Sequence, residues 1–135
     1  MIKNKGITIL GSGISGLGSA KLAMKLGINV FISDNNLIGK NVKKYLNKNK
    51  IAFEENGHDL KRLLHSDEVI ISPGISFNNL KKTYPEIRKD KFISEIEFAS
   101  RYTNAYVIAV TGSNGKTTTA SLIYHLLKSS GLNVG

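Results

Sequence analysis

The chain has 135 residues, and 41% of them are hydrophobic, which is enough for one buried core. It contains no cysteine, so disulfides and cysteine-based metal sites are excluded. The formal net charge is +9, but the lysines are scattered and do not alternate with aromatic residues. Because the lysines are scattered, we expect them to form a solvated surface, and we expect no nucleic-acid partner. No signal-peptide pattern or long apolar run occurs, so we expect a cytoplasmic protein with no membrane partner.

The first predicted strand, Gly6–Leu10, leads directly into the glycine-rich turn Gly11-Ser12-Gly13-Ile14-Ser15-Gly16. A helical pattern begins at Ser15, and Gly27 is placed to end it. The second strand, 28–33, ends at Asp34, about twenty residues beyond the glycines, where a carboxylate can meet a ribose or a base. Strand, G-x-G-x-x-G and helix together predict the opening of a nucleotide-binding βαβ unit.

Simpler interpretations of these residues remain open at this stage. Asp34 could cap a helix that begins near Asn36. Gly16 could serve only the packing of the helix on the strand, and the loop would then hold no ligand.

The next segment contains alternating helix and strand patterns. We predict a helix over 37–48, a strand over 51–53, a turn at Asn56-Gly57, a brief helix over 60–64 and a strand over 68–72. That last strand ends in Pro73-Gly74-Ile75, where the glycine frees the backbone to approach a ligand, although a plain turn explains it equally well. Because parallel strands place their carboxyl ends at one edge of a sheet, residues 12–16, 34–35 and 72–75 should converge on one site.

A polar, lysine-rich connection over 78–91 precedes a predicted edge strand at Phe92-Ile93. Ser94 and Glu97 then have the spacing of a capping box at the start of a helix. A domain boundary is predicted near Thr103-Asn104, which gives a first domain over 1–103 and a second over 104–135.

The second domain opens on a phosphate-binding pattern. The β-branched run Val107, Ile108 and Val110 predicts a buried strand, a loop with two glycines follows, and Lys116-Thr117 begins an apolar-periodic helix. The loop departs from G-x-x-x-x-G-K-[ST] because Val110 occupies the place of the first glycine. The alternative is a glycine-rich turn followed by an ordinary exposed lysine.

The helix after Lys116 is predicted to stop at Gly131, and residues 132–135 are predicted to start another strand. One strand, loop and helix cannot bury their own apolar face, so we expect this part to be a truncated domain.

These residues together resemble the N-terminal part of the Mur ligases. The resemblance is carried by Gly11–Gly16 with Asp34, by Ser72-Pro73-Gly74-Ile75, by Glu95-Ile96-Glu97-Phe98 and by Val110–Thr117. Thr-Gly-Ser-Asn-Gly-Lys-Thr is that family's own form of the phosphate loop, and Ser-Pro-Gly-Ile favours the branch that adds D-glutamate. The resemblance implies an α/β fold: a Rossmann-like parallel-sheet domain, then the first strand, phosphate loop and helix of a truncated P-loop ATPase domain.

The resemblance also implies a monomer, a set of ligands and a role for each site residue. The first domain would bind the uridine diphosphate part of UDP-N-acetylmuramoyl-L-alanine, and the second would bind ATP and Mg²⁺ for the addition of D-glutamate. The nucleotide contacts would be Ile14, Ser15 and Gly16 at the diphosphate, Asp34 and Asn35 at the uracil end, and Gly74 through its backbone. The ATP contacts would be Gly112, Ser113, Asn114, Gly115, Lys116, Thr117 and Thr118. Lys116 and Thr117 would be the catalytic residues, and Thr117 would also be the metal ligand.

Two points limit the resemblance, and two other classes of function remain. Asn36 stands where some relatives have a basic side chain beside the uracil pocket, and the family's remaining catalytic parts lie beyond Gly135, so we expect a fragment that is inactive alone. An NAD(P)-dependent oxidoreductase would explain the first loop and Asp34 but not the second loop. A noncatalytic nucleotide-binding module would explain the absence of an evident base or nucleophile.

Overall fold

The computed structural model describes residues 6–135, so predictions for residues 1–5 lie outside the described part. The chain divides into two compact units, Met1–Thr103 and Asn104–Gly135, and each is described by itself. No helix in the described range is long and apolar enough to cross a membrane.

Unit 1 is built on a five-stranded sheet in which every pairing is parallel. The strand order is β3-β2-β1-β4-β5. The strands are β1 (Gly6–Leu10), β2 (Asn29–Ser33), β3 (Ala52–Glu54), β4 (Glu68–Ile71) and β5 (Phe92–Ser94). The strands predicted for unit 1 are therefore confirmed, and β5 lies at an edge as expected.

Five helices connect and follow these strands in unit 1. They are α1 (Ile14–Lys25), α2 (Lys40–Lys48), α3 (Leu60–His65), α4 (Phe77–Thr83) and α5 (Glu95–Ser100), with a 3₁₀ turn at Lys89–Lys91. The predicted helix over 37–48 begins three residues later, because residues 34–39 form an irregular segment after β2. Ser94 caps α5 by accepting from the Glu97 amide, as its spacing predicts.

The apolar core lies on both faces of the sheet. On one face, Ile7, Ile9 and Ile32 pack in a cluster with residues of α1, α2 and α5. On the other face, Leu10 and Val69 pack in a smaller cluster that includes Leu63 of α3 and Leu80 of α4. Because both faces of this parallel sheet are covered, loops that could bind a ligand lie beyond the carboxyl ends of the strands.

Gly16 allows α1 to lie directly against the end of β1. A Cβ atom built on Gly16 would lie 2.0 Å from the carbonyl oxygen of Gly11, a distance that no side chain tolerates. Gly18, two residues along the same helix, has open space where its Cβ would be. The packing role predicted for Gly16 is confirmed, and it does not exclude a role in binding.

A buried polar network joins the ends of β2 and β3. Ser33 is fully buried and donates from Oγ to Glu54 Oε1 at 2.6 Å. Ser33 Oγ also lies 2.5 Å from His58 Nδ1. The Ser33 hydroxyl has one proton, and it donates this proton in its hydrogen bond to the Glu54 carboxylate. In the contact with His58, Ser33 Oγ must therefore accept and Nδ1 of His58 must donate. Burial lowers the pKa of His58, although the charges of Glu54 and Asp34 act in the opposite direction.

Unit 2 consists of an extended segment, a loop and α6 (Lys116–Ser129). The prediction of a buried strand at Val107–Val110 is wrong: these residues are not in a strand, and Val107 and Ile108 are 66% and 51% exposed. The predicted strand over 132–135 is also absent. A β-branched run becomes a strand only when its backbone pairs with a neighbour, and the described part of unit 2 supplies none.

Helix α6 begins and ends where its sequence predicts. Gly131 has φ +80°, its amide donates to Lys128, and the Leu132 amide donates to Leu127, which together form a Schellman ending. A small apolar cavity of about 210 Å³ lies between the extended segment and α6, lined by Ile108, Val110, Ile123 and Leu127 among others.

Gly16→Ala and Gly18→Ala should change stability in opposite directions. The first forces a methyl group onto the Gly11 carbonyl and should lower the free energy of unfolding by about 1–3 kcal/mol or more. The second fills open space on a helix and should raise it by about 0.5–1 kcal/mol. Urea unfolding of both variants and the parent chain measures this, and equal effects would contradict the close packing of α1 on β1.

His58 should make unit 1 less stable in mild acid. The pKa of His58 in the folded chain lies below its unfolded value of 6.5. Between these two pKa values the unfolded chain binds more protons than the folded chain, so the free energy of unfolding decreases as the pH falls from 6.5 to the folded-state pKa. The slope for one proton is at most about 1.4 kcal/mol per pH unit. Thermal unfolding between about pH 7.5 and about pH 5 should show a smaller loss for His58→Gln than for the exposed control His65→Gln.

Candidate functional site

The turn between β1 and α1 presents free main-chain donors. Gly13 precedes α1 in an extended conformation, and within residues 6–135 no side chain caps the helix. The first amide of α1 that bonds within the helix is that of Leu17, which donates to Gly13 at 2.9 Å. The amides of Ile14, Ser15 and Gly16 therefore form the open end of the helix, where the helix dipole favours an anion.

Asp34 ties this turn to the end of β2. Its Oδ2 accepts from the Ser12 amide at 2.8 Å and from Ser12 Oγ at 2.6 Å, and its Oδ1 accepts from the Asn36 amide at 2.9 Å. The interpretation of Asp34 as a helix cap is not supported, because α2 begins at Lys40 after Gly39. Oδ2 already accepts two hydrogen bonds, but Oδ1 accepts only one among the described residues and has a second lone pair, so the group can still accept from a ligand.

The Asp34 carboxyl is held ionised by these contacts. Burial alone would raise its pKa, but the hydrogen bonds from Ser12 and Asn36 outweigh that effect and lower the pKa below its ordinary value. A charged acceptor that is already oriented suits the N–H and O–H donors of a base or ribose.

The loop after β4 lies against the glycine turn. The Ser72 amide donates to Leu10, and a Cβ atom on Gly11 would lie 2.8 Å from Ser72 Oγ. Gly11 has φ +95°, so both its backbone and its close contact require glycine. Ser72 Oγ is buried and has no hydrogen-bond partner among the described residues. Gly74 is exposed, and a Cβ atom built on it would have no neighbour within 4 Å.

The structure thus brings the three predicted loops of unit 1 together. Residues 12–16, 34–35 and 72–75 meet at the carboxyl edge of the sheet, and Asn35 lies exposed beside Asp34. The structure adds contacts for Ser12 and Ser72, which the sequence placed in the converging loops without assigning a role to either side chain. Ser12 was visible inside the motif, but nothing local shows that its hydroxyl and amide bind a carboxylate 22 positions away.

Unit 2 has its own open loop ahead of α6. Gly112 and Gly115 have φ +150° and +77°, Lys116 is the first helical residue, and no side chain caps the helix. The Lys116 ammonium folds back onto the Gly112 carbonyl, and Thr117 and Thr118 follow it in the first turn, both exposed. The loop therefore places main-chain amides, a helix start and a lysine close together, and these are the groups that a phosphate loop uses.

Residues 6–135 contain no group of three or more His, Cys, Asp or Glu side chains arranged to hold a metal ion. The assignment of Mg²⁺ to Thr117 therefore rests on the loop alone, and its exposed hydroxyl is a suitable oxygen donor.

Two protein-family models match the chain. The MurD N-terminal domain matches residues 6–79, which is more than half of the chain, and the Mur ligase middle domain matches residues 110–135.

Curated relatives are similar over nearly the whole chain. UDP-N-acetylmuramoylalanine–D-glutamate ligase of Bacteroides fragilis is 50% identical over 133 residues, covering 97% of this chain and 30% of that protein. The protein of the same name from Porphyromonas gingivalis is 45% identical over 134 residues, covering 96% and 29%. The chain thus spans about 30% of the length of the curated relatives it matches.

Solved structures include ligases and one enzyme of another class. A pseudomurein peptide ligase type C from Methanothermus fervidus matches with a TM-score of 0.64 and 29% identity, covering 97% of this chain and 29% of that one. SirC, a precorrin-2 dehydrogenase, matches with a TM-score of 0.57 but 12% identity, covering 96% and 69%, and so shows the fold alone. The two family models and the relatives agree with the two loops described above: the chain belongs to the Mur ligase family, and it matches the N-terminal part of the members that add D-glutamate.

Proposed function

We propose that this chain is the substrate-nucleotide part and the start of the ATP part of a UDP-N-acetylmuramoylalanine:D-glutamate ligase, which makes a peptidoglycan precursor. Helices α1, α2 and α6 all begin without a side-chain cap, and the observation that carries the proposal is that two of these ends have further site features: the α1 end is hydrogen-bonded to the carboxylate of Asp34 through Ser12, and the α6 end follows the loop from Gly112 to Gly115 with Lys116 folded onto it. An oxidoreductase has a use for the first of these but none for the second.

Unit 1 would bind the uridine diphosphate part of UDP-N-acetylmuramoyl-L-alanine. The amides of Ile14, Ser15 and Gly16 would donate to the diphosphate, which needs no side chain because the helix end supplies partial positive charge. Asp34 and Asn35 would meet the uracil end, and the open space at Gly74 lets the backbone approach the nucleotide. Ser72 Oγ has no hydrogen-bond partner among residues 6–135, but it is buried against the glycine turn, so we assign it no contact with the nucleotide.

The reaction proposed for the whole enzyme has two steps. The alanyl carboxylate attacks the γ-phosphorus of ATP and ADP leaves, which gives an acyl phosphate. The amine of D-glutamate then attacks the acyl carbon, phosphate leaves, and the nitrogen loses a proton to give an amide.

The residues of unit 2 would serve the first step by position and charge. The loop amides from Gly112 to Gly115 would hold the phosphates of ATP. Lys116 would leave its contact with Gly112 and neutralise charge on the transferred phosphoryl group. Thr117 would bind Mg²⁺, which supplies further charge neutralisation when bound, and Thr118 would donate from the first turn of α6.

Titration of the ¹⁵N-labelled chain with UDP should shift amides of Ser12–Gly16, Asp34, Asn35 and Gly74. Asp34→Asn should weaken UDP binding by about tenfold, because one neutral acceptor oxygen replaces two charged ones, which weakens both the contact with Ser12 and the proposed contact with the base. The control Asp90→Asn changes an exposed carboxylate whose partner is Arg88, and it should bind UDP normally. Shifts produced by NAD but not by UDP would instead support an oxidoreductase.

Titration with ATP should shift a separate set of amides, from Gly112 to Thr118, and binding should be tighter with Mg²⁺ present. Lys116→Ala should reduce ATP affinity by about tenfold or more, because a charge-assisted contact to phosphate is lost. Thr117→Val should remove the difference between ATP with Mg²⁺ and ATP with a chelator. Lys128→Ala, at the far end of α6, is the matched control. Equal responses of Lys116→Ala and Lys128→Ala would contradict the assignment.

A further inference from the structure

The loop between β3 and α3 holds the irregular segment 34–38 by its backbone. Gly57 donates from its amide to the Asp34 carbonyl at 3.2 Å, and Asn56 donates to the Asn36 carbonyl at 3.4 Å. The Asp34 amide in turn donates to the Glu54 carbonyl at 3.1 Å. Asn56 and Gly57 both have positive φ, so this turn has a conformation that few sequences adopt.

Glu55 binds the other end of this segment, at Ile38. Its Oε2 accepts from the Ile38 amide at 2.8 Å, and its Oε1 accepts from Lys43 Nζ at 2.7 Å. The hydrogen bond from Lys43 is the main cause that lowers the pKa of Glu55, and the Ile38 amide adds to it. Ile38 is itself buried in the core, so its position is fixed from both sides.

The residues between these anchors are exposed. Asn35, Asn36 and Leu37 lie in no helix or strand, and Leu37 is 72% exposed. A short segment of this kind keeps one conformation only if both of its ends are held, because the backbone alone has little preference. Asp34 is held by Ser12 and Gly57 at one end, and Ile38 is held by Glu55 at the other.

We propose that Glu55 is a positioning residue for base recognition: with the Asn56-Gly57 turn, it holds residues 34–38 in the conformation that offers Asp34 and Asn35 to the uracil ring. This inference rests on the proposed function, since it assumes that the uracil end of the nucleotide lies at Asp34. The β3–α3 loop, which contains neither of the two glycine-rich motifs, thereby gains a role in positioning residues 34–38.

The arrangement separates base recognition from phosphate binding. The diphosphate would lie on the amides of α1, and Glu55 has no contact there. A defect at Glu55 should therefore act on the uridine end and leave the phosphate end intact. A general loss of structure would weaken both, so the two cases are distinguishable.

The test compares the chain with Glu55→Ala, Glu55→Gln and the exposed control Glu86→Gln, by amide titration with UDP, CDP and inorganic pyrophosphate. Glu55→Ala should lose about tenfold in UDP affinity and most of the preference for UDP over CDP, with pyrophosphate binding unchanged. Glu55→Gln keeps an oxygen for the Ile38 amide and should recover most of both losses. Without ligand, the Ile38 amide should exchange with solvent faster in Glu55→Ala than in the control.

Equal losses of UDP and pyrophosphate binding in Glu55→Ala, or an unchanged preference for UDP over CDP, would overturn the positioning role and leave the proposed function standing. If the unsubstituted chain binds pyrophosphate but shows no preference for UDP, the proposed function and this inference both fall.

Discussion

The contact between Asp34 and Ser12 is the constraint on which the candidate nucleotide site depends. It joins the loops at the ends of two neighbouring strands, and both the amide and the hydroxyl of Ser12 bind one carboxylate oxygen. Burial opposes the charge of Asp34, and the hydrogen bonds outweigh that cost, so the carboxylate stays ionised and oriented. The open end of α1 and the proposed acceptor for the base are thereby held close together.

Both candidate sites use main-chain donors at a helix start. α1 follows Gly13 and α6 follows Gly115, and in the described part of the chain no side chain caps either helix. By contrast α3, α4 and α5 begin at Asp59, Ser76 and Ser94, each of which accepts from one amide of the first turn. Helix α2 is uncapped as well, after Gly39, so an open helix end keeps its donors for an anion but does not by itself mark a site.

The fold alone does not decide the function, because a precorrin-2 dehydrogenase has a similar architecture at 12% identity. What separates the hypotheses is the chemistry at the strand ends and in unit 2. In unit 1 the hydrogen bonds among Ser33, Glu54 and His58 hold the ends of β2 and β3 together. The close packing of Gly16 on Gly11 holds the start of α1 against the end of β1. This support fixes the loops before any ligand arrives, which lowers the ordering cost of binding.

The sequence by itself determined the α/β pattern, the two glycine loops, Asp34 at the end of β2, and the helix ends at Gly27 and Gly131, because each depends on local periodicity or on the special backbone of glycine. Only the tertiary structure decided that Asp34 binds Ser12, that Glu55 holds Ile38, and that His58 must donate from Nδ1. It also showed that the β-branched run at Val107–Val110 forms no strand. These features join residues distant in the chain, or require a neighbouring strand, and no local pattern encodes such a pairing.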